Sequence, residues 1–217
     1  MIMKTLYEGI LSDVEDTLSK SDTEIEKRLI IEKLIDRDAY YFPSAFGPRA
    51  KTPDELFTIY KKGKQWIVDV HDQLTCYGKY ENVTDGSFKF GTVDGAFVLS
   101  CKDTKFKSFK YGPKNVYGDL DMYDCDGVKN LRYCPEQVTD DFHLLCTQIE
   151  TLKWLPRYIG GNFNCNDNKK LTSINNCGKC SVAGSVQLRN NGFKSSRRVL
   201  LDSNLDVEWM QGCLYDD

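Results

Sequence analysis

The apolar positions of this chain recur at a nearly fixed distance. Taking the first apolar residue of each unit as an anchor gives Leu74, Phe97, Leu120, Phe142, Phe163 and Val186, spaced 23, 23, 22, 21 and 23 residues apart. Two positions later come Cys76, Leu99, Met122, Leu144, Cys165 and Leu188. Four positions earlier stand Val70, Val93, Val116, Val138, Ile159 and Val182, a wholly β-branched column. Five positions after the last four anchors lie Cys125, Thr147, Asn168 and Asn191. A second apolar pair follows in most units: Phe106 and Phe109, Val128 and Leu131, Ile149 and Leu152, Leu171 and Ile174. A period of this length marks a stacked repeat, in which no unit can bury its apolar face alone and about three are needed for stability.

The columns carry a physical logic. Apolar-x-apolar residues point inward from a short strand, and each strand pairs with its neighbour in the next unit. A small polar residue at the bend can satisfy backbone groups buried between coils. The predicted fold class is therefore an α/β repeat, a leucine-rich-repeat-like solenoid of about six coils of 21–23 residues with a small helical N-terminal region.

The segments VDGAFVLSC, VYGDLDMYDC and YIGGNFNCNDNKKLTSI resemble the short leucine-rich repeats, of the LTSL type, found in bacteriophage and gut-bacterial proteins. The opening MKTLYEGILSDVEDTL is similar to the segment that precedes such repeats in phage proteins. The resemblance implies an interaction scaffold without catalytic residues. Between Leu120 and Leu152 the glycines and the L-T-S-L core are missing, which leaves the regularity of those coils open.

Outside the repeat, Leu6, Ile10, Val14 and Leu18 predict an amphipathic helix over 4–19. Ser21-Asp-Thr-Glu24 has capping-box form and opens a second helix, carrying Ile25, Leu29, Ile30 and Leu34, to about Asp36. Thr52-Pro-Asp-Glu55 repeats the box and predicts a short helix through about Lys61. The domain reading is 1–65 as helical arm and cap, 66–194 as solenoid and 195–217 as C-terminal cap, since a bare terminal coil would expose an apolar face and a strand edge.

Composition narrows the function. A net charge of −3 argues against a general nucleic-acid binder. No apolar run approaches the ~18 residues of a membrane span. The first 20 residues alternate charge and hydrophobe, which predicts no signal peptide and a place in the host cytoplasm or the virion. Most of the nine cysteines fall on repeat columns. Cys177-Gly-Lys-Cys180 is the one CxxC; with Cys134 and His143 a metal cluster is conceivable, but the register already explains Cys177, and neither metal nor cofactor is expected. His143 stands near Cys146, as a Cys-His hydrolase would need, yet no strained nucleophile turn surrounds that thiol. The lysines of KDTKFKSFKYGPK (102–114) interleave with aromatics, but the register turns Phe106 and Phe109 inward and leaves the lysines on a solvated bend.

What remains is the outward strand face, predicted to be a concave ladder about 24 Å long at ~4.8 Å per strand. Its candidate binding residues are Asp119, Asp121, Tyr123, Asp141, His143, Asn162, Asn164 and Arg189. An acidic patch with aromatics suits a basic protein partner, of host or phage origin. The alternatives are a virion-structural protein using its N-terminal helix for sorting or assembly, and a small Cys/His metal-binding enzyme.

Overall fold

The computed structural model describes residues 22–45, 49–145, 147–174, 177 and 179–193, and the backbone of 205–207. The chain divides into two compact units, Met1–Asp36 and Arg37–Asp217. In the first, a helix (α1) runs over 22–34, with Ile30 and Leu34 buried and Ile25 and Leu29 exposed. The helix expected over 4–19, the Ser21 that opens the first capping box, most of the expected C-terminal cap, and Cys146 lie outside the described residues.

The second unit is a β-solenoid built on two sheets. Six strands carry the anchors: β4 (Leu74–Cys76), β6 (Phe97–Ser100), β8 (Leu120–Tyr123), β10 (Phe142–Leu145), β12 (Phe163–Asn164) and β14 (Val186–Gln187). They pair in parallel with every anchor beside the next, Leu74 to Phe97 to Leu120 to Phe142 to Phe163 to Val186. A one-residue slip would turn every apolar side chain to solvent, so the burial of both apolar columns pins this register.

The β-branched column forms a second sheet, which the period alone does not assign. Its parallel strands are β3 (Gln65–Val70), β5 (Phe88–Val93), β7 (Asn115–Val116), β9 (Gln137–Val138), β11 (Tyr158–Ile159), β13 (Cys180–Val182) and β15 (Leu205–Val207). Val70, Val93, Val116, Val138, Ile159 and Val182 stand in register across it and are all buried. Branched side chains are stiff and fit a pleated surface, which suits the strands after β5, each only two or three residues long. The second apolar pairs are buried on a third, irregular side of each coil.

Both turns of the coil use backbone that glycine normally takes. Asp103, Asp124, Asp167 and Asn190 have φ between 52° and 62° at the bend after the first-sheet strands. Tyr111, Tyr133 and Trp154 have φ of 67–70° before the second sheet. Asp and Asn tolerate this region; the aromatics do not favour it and are held there by the coil. At the corner between the sheets, the backbones of successive coils approach so closely that a Cβ on Gly118 would lie 2.6 Å from the Gly95 carbonyl carbon, and one on Gly184 2.6 Å from the Gly161 oxygen.

The coils between Leu120 and Leu152, whose regularity the sequence leaves open, hold regular strands among the described residues. Strands β8 and β10 pair over four residues each, longer than β12 or β14. The inward columns are intact there, and strand pairing depends on those columns rather than on L-T-S-L. The helix expected through Lys61 is corrected by the structure. Thr52 does open a helix, α2 (Pro53–Leu56), where Glu55 Oε2 accepts from the Thr52 N–H at 2.7 Å. From Phe57 the alternating Phe-Thr-Ile-Tyr favours a strand, and β2 (Phe57–Lys62) forms a hairpin with β3 around Gly63 at φ 62°. Strand β1 (Tyr40–Tyr41) adds antiparallel to β4, so each sheet begins with an antiparallel edge strand.

Candidate binding face

Alternation along β8, β10 and β12 puts Asp121, Tyr123, His143 and Asn164 on the outward face of the first sheet. The parallel register sets Asp121 beside His143, His143 beside Asn164 and Asn164 beside Gln187. Asp121 Oδ1 accepts from His143 Nδ1–H at 2.8 Å and from the Tyr123 hydroxyl at 3.3 Å. The hydroxyl also lies 3.2 Å from His143 Nδ1. On the other side of the ring, His143 Nε2 is 3.8 Å from Asp141 Oδ2. Tyr77 and Tyr123 are both exposed at the third position after their anchors.

Not all the predicted residues are free to bind. Those one position before the anchor form a ladder between coils. Asp119 Oδ1 accepts from the Asp141 N–H at 2.9 Å, and Asp141 Oδ1 from the Asn162 N–H at 2.6 Å. Asn162 Oδ1 in turn accepts from the Ser185 N–H at 2.9 Å and its hydroxyl at 2.8 Å. Asp119, Asp141 and Asn162 thus close corner backbone groups, as the polar bend column does elsewhere. The recurrence of Asp, Asp, Asn and Ser in one column was the sequence signal for this role. Arg189 lies two coils from the Asp121–His143 pair; its N–H donates to Asn166 Oδ1 at 2.6 Å. Among the described residues, the two buried side-chain polar atoms without a hydrogen-bond partner, Asn164 Oδ1 and Arg189 Nε, both belong to this face.

The chemistry here favours donation over activation. Desolvation, then the Asp121 charge and its hydrogen bond, push the Tyr123 phenol up to about 12, so it stays protonated at neutral pH. Between about pH 10 and 12 the folded state keeps a proton that the unfolded chain releases. This phenol's contribution to stability is complete below about pH 10 and is lost as pH rises through the folded value. Melting scans from pH 9 to 12 should show a steeper decline in wild type than in Tyr123→Phe, whose buried thiols still titrate; parallel declines would contradict the network. The other histidine, His71, bridges Asp94 and Thr58 at 2.7 and 2.8 Å.

Burial raises the thiols as well, Cys165 and Cys180 to about 12. Cys134 and Cys177 each lie close enough to Cys180 to interact with it electrostatically. Among the described residues, no three His, Cys, Asp or Glu side chains converge as a metal site requires.

Fold and face together define a β-solenoid repeat protein with a polar, tyrosine-bearing strand face. No protein-family model, curated protein or solved structure matches the chain.

Proposed function

We propose that the protein is a non-catalytic scaffold that binds a basic protein segment along the outward face of its first sheet. The observation that supports this is the Asp121–His143–Tyr123 network, fixed on two neighbouring in-register strands with Asn164 of a third at its flank. Sites on strands are held more rigidly than sites on loops, and tyrosine is enriched among residues that dominate interface energy. Carboxylates set beside exposed phenols suit lysine- or arginine-rich partners. The resemblance to phage repeats makes a host or phage protein the expected partner.

The test is a pull-down from infected and uninfected host lysate, comparing wild type with Asp121→Lys/Tyr123→Ala. Asp119 and Asp141 are left in place because they close corner amides. The double variant should melt as a folded protein and lose the basic partner by at least about tenfold, the scale of a hot-spot residue. Equal capture by both proteins would remove this face as the site.

A further inference from the structure

The second sheet carries a groove of about 580 Å³ on its outer side at the first coils. Its floor is the β2–β3–β5 surface. Register sets Tyr60 opposite Ile67, Ile67 opposite Lys89, and Lys62 opposite Gln65. The floor is deepened by a bulge, where Gly91 and Thr92 together oppose Asp69. The Asp69 carboxylate accepts from the Thr92 N–H at 2.8 Å, and a Cβ on Gly91 would run into that carboxylate and Ile67.

One wall is the loop over 109–115, tied to β5 at two points. The Phe90 N–H donates to the Tyr111 carbonyl at 2.9 Å and the Lys114 N–H to the Gly91 carbonyl at 2.7 Å. The Lys110 ammonium sits 4.8 Å from the centre of the Tyr111 ring. Tyr133 and Glu136 of the next coil extend the lining.

The charges are unevenly matched. Glu136 pairs with Lys114 at 3.6 Å, and Asp69 is engaged by the bulge. Lys62, Lys89 and Lys110 are exposed and have no carboxylate partner among the described residues. Tyr60 and Tyr133 are 41% and 49% exposed, so ring surface is available beside the cations. In a chain of net charge −3 this is a local concentration of positive charge in a concave site.

We propose that this groove binds a small ring-bearing oxyanion, with Lys62, Lys89 and Lys110 on the anionic group and Tyr60 and Tyr133 against the ring. Lysine acts as a strongly hydrated point charge and serves phosphate and carboxylate alike. Tyrosine faces stack bases and sugar rings without reading their edges. The volume lies within the roughly 300–1,000 Å³ of small-ligand sites and holds one or two rings. The anion is supplied either by a nucleotide phosphate or by an acidic sugar carboxylate. Phe106 and Phe109 do point inward, as their spacing predicts, but Lys110 and Lys114 turn back over β5 to line the groove with side chains of positions 60–92 and of the next coil.

Calorimetric titration with a mononucleotide, a galacturonate disaccharide and inorganic phosphate tests this on the full chain. At least one ring ligand should bind about tenfold or more tighter than inorganic phosphate, and which of the two identifies the source of the anion. Lys62→Glu/Lys89→Glu should abolish that binding while melting like wild type. Tyr60→Ala should weaken the ring ligand and leave phosphate unchanged. The proposal is overturned if neither ring ligand binds, if phosphate binds as tightly as both, or if the folded double-lysine variant binds as wild type does.

Discussion

Phe142→Asp should leave a chain with no cooperative melting transition, whereas Asp121→Lys should melt within about 4 °C of wild type, the shift that roughly 1 kcal/mol produces at this size. The two positions are adjacent columns of adjacent strands. Phe142 is fully buried between Leu120 and Phe163 and packs its ring 5.3 Å from that of Phe163. Truncating a buried Phe costs about 3–5 kcal/mol before any charge is considered. A carboxylate there must be desolvated without a partner or take up a proton, which adds several kcal/mol more. Against a total stability of about 5–15 kcal/mol, that is decisive.

Position within the stack enlarges the effect. Coils in a solenoid contact only their neighbours, so a broken fourth coil leaves three anchored coils before it and two after it, near or below the number that stands alone. Asp121 stands on the outward face and loses only partly buried bonds to His143 and Tyr123 when replaced. Thermal and urea melts of both variants, followed by circular dichroism, provide the comparison. If the two variants melted alike, the inward and outward assignment of this sheet would be wrong.

The first sheet was legible in the sequence because period, register and burial all act on the same residues. Leu74 through Val186 could be aligned by eye, and the strands pair at those residues. The second sheet was visible as a column but not as a sheet. Val116 and Val138 sit in strands of two residues, too short to show alternation. The aromatics at positive φ left no sequence signal, since Tyr111, Tyr133 and Trp154 stand where glycine would be expected. In β2 a sound helix start misled, because a capping box specifies where a helix begins and not how far it runs. At the candidate face the alternation rule placed Asp121, Tyr123 and His143 outward. It said nothing of Asp119, Asp141 and Asn162, whose side chains leave the strand at the corner and turn along the stack toward the next coil's backbone.

Asn168→Ala should destabilise the solenoid by about 3–5 kcal/mol, far more than its size suggests, because two or more buried polar groups each lose about 1–3 kcal/mol with their partner. Asn168 is fully buried at the bend after β12. Its Oδ1 accepts from the Thr147 N–H at 2.9 Å and the Thr147 hydroxyl at 2.6 Å. Its Nδ2 donates to the Leu144 carbonyl at 2.8 Å and the Asn166 carbonyl at 3.0 Å. One amide therefore closes backbone groups on both the fourth and fifth coils, where water does not reach. Alanine orphans them all. Asn168→Asp keeps the acceptor but loses the donors and buries a charge, so it should fare no better. Gln148→Ala, which removes one exposed 3.3 Å bond to Asp126, is the control and should change stability by less than about 0.5 kcal/mol. Hydrogen exchange localises the effect. The Thr147 amide should lose protection in Asn168→Ala, while the Asn168 amide, bonded at 2.9 Å to Asn191 Oδ1, should keep it until the stack unfolds. Equal loss at both amides would mean that the bend column is not what ties the fourth coil to the fifth, and the two β-sheets alone would have to carry that contact.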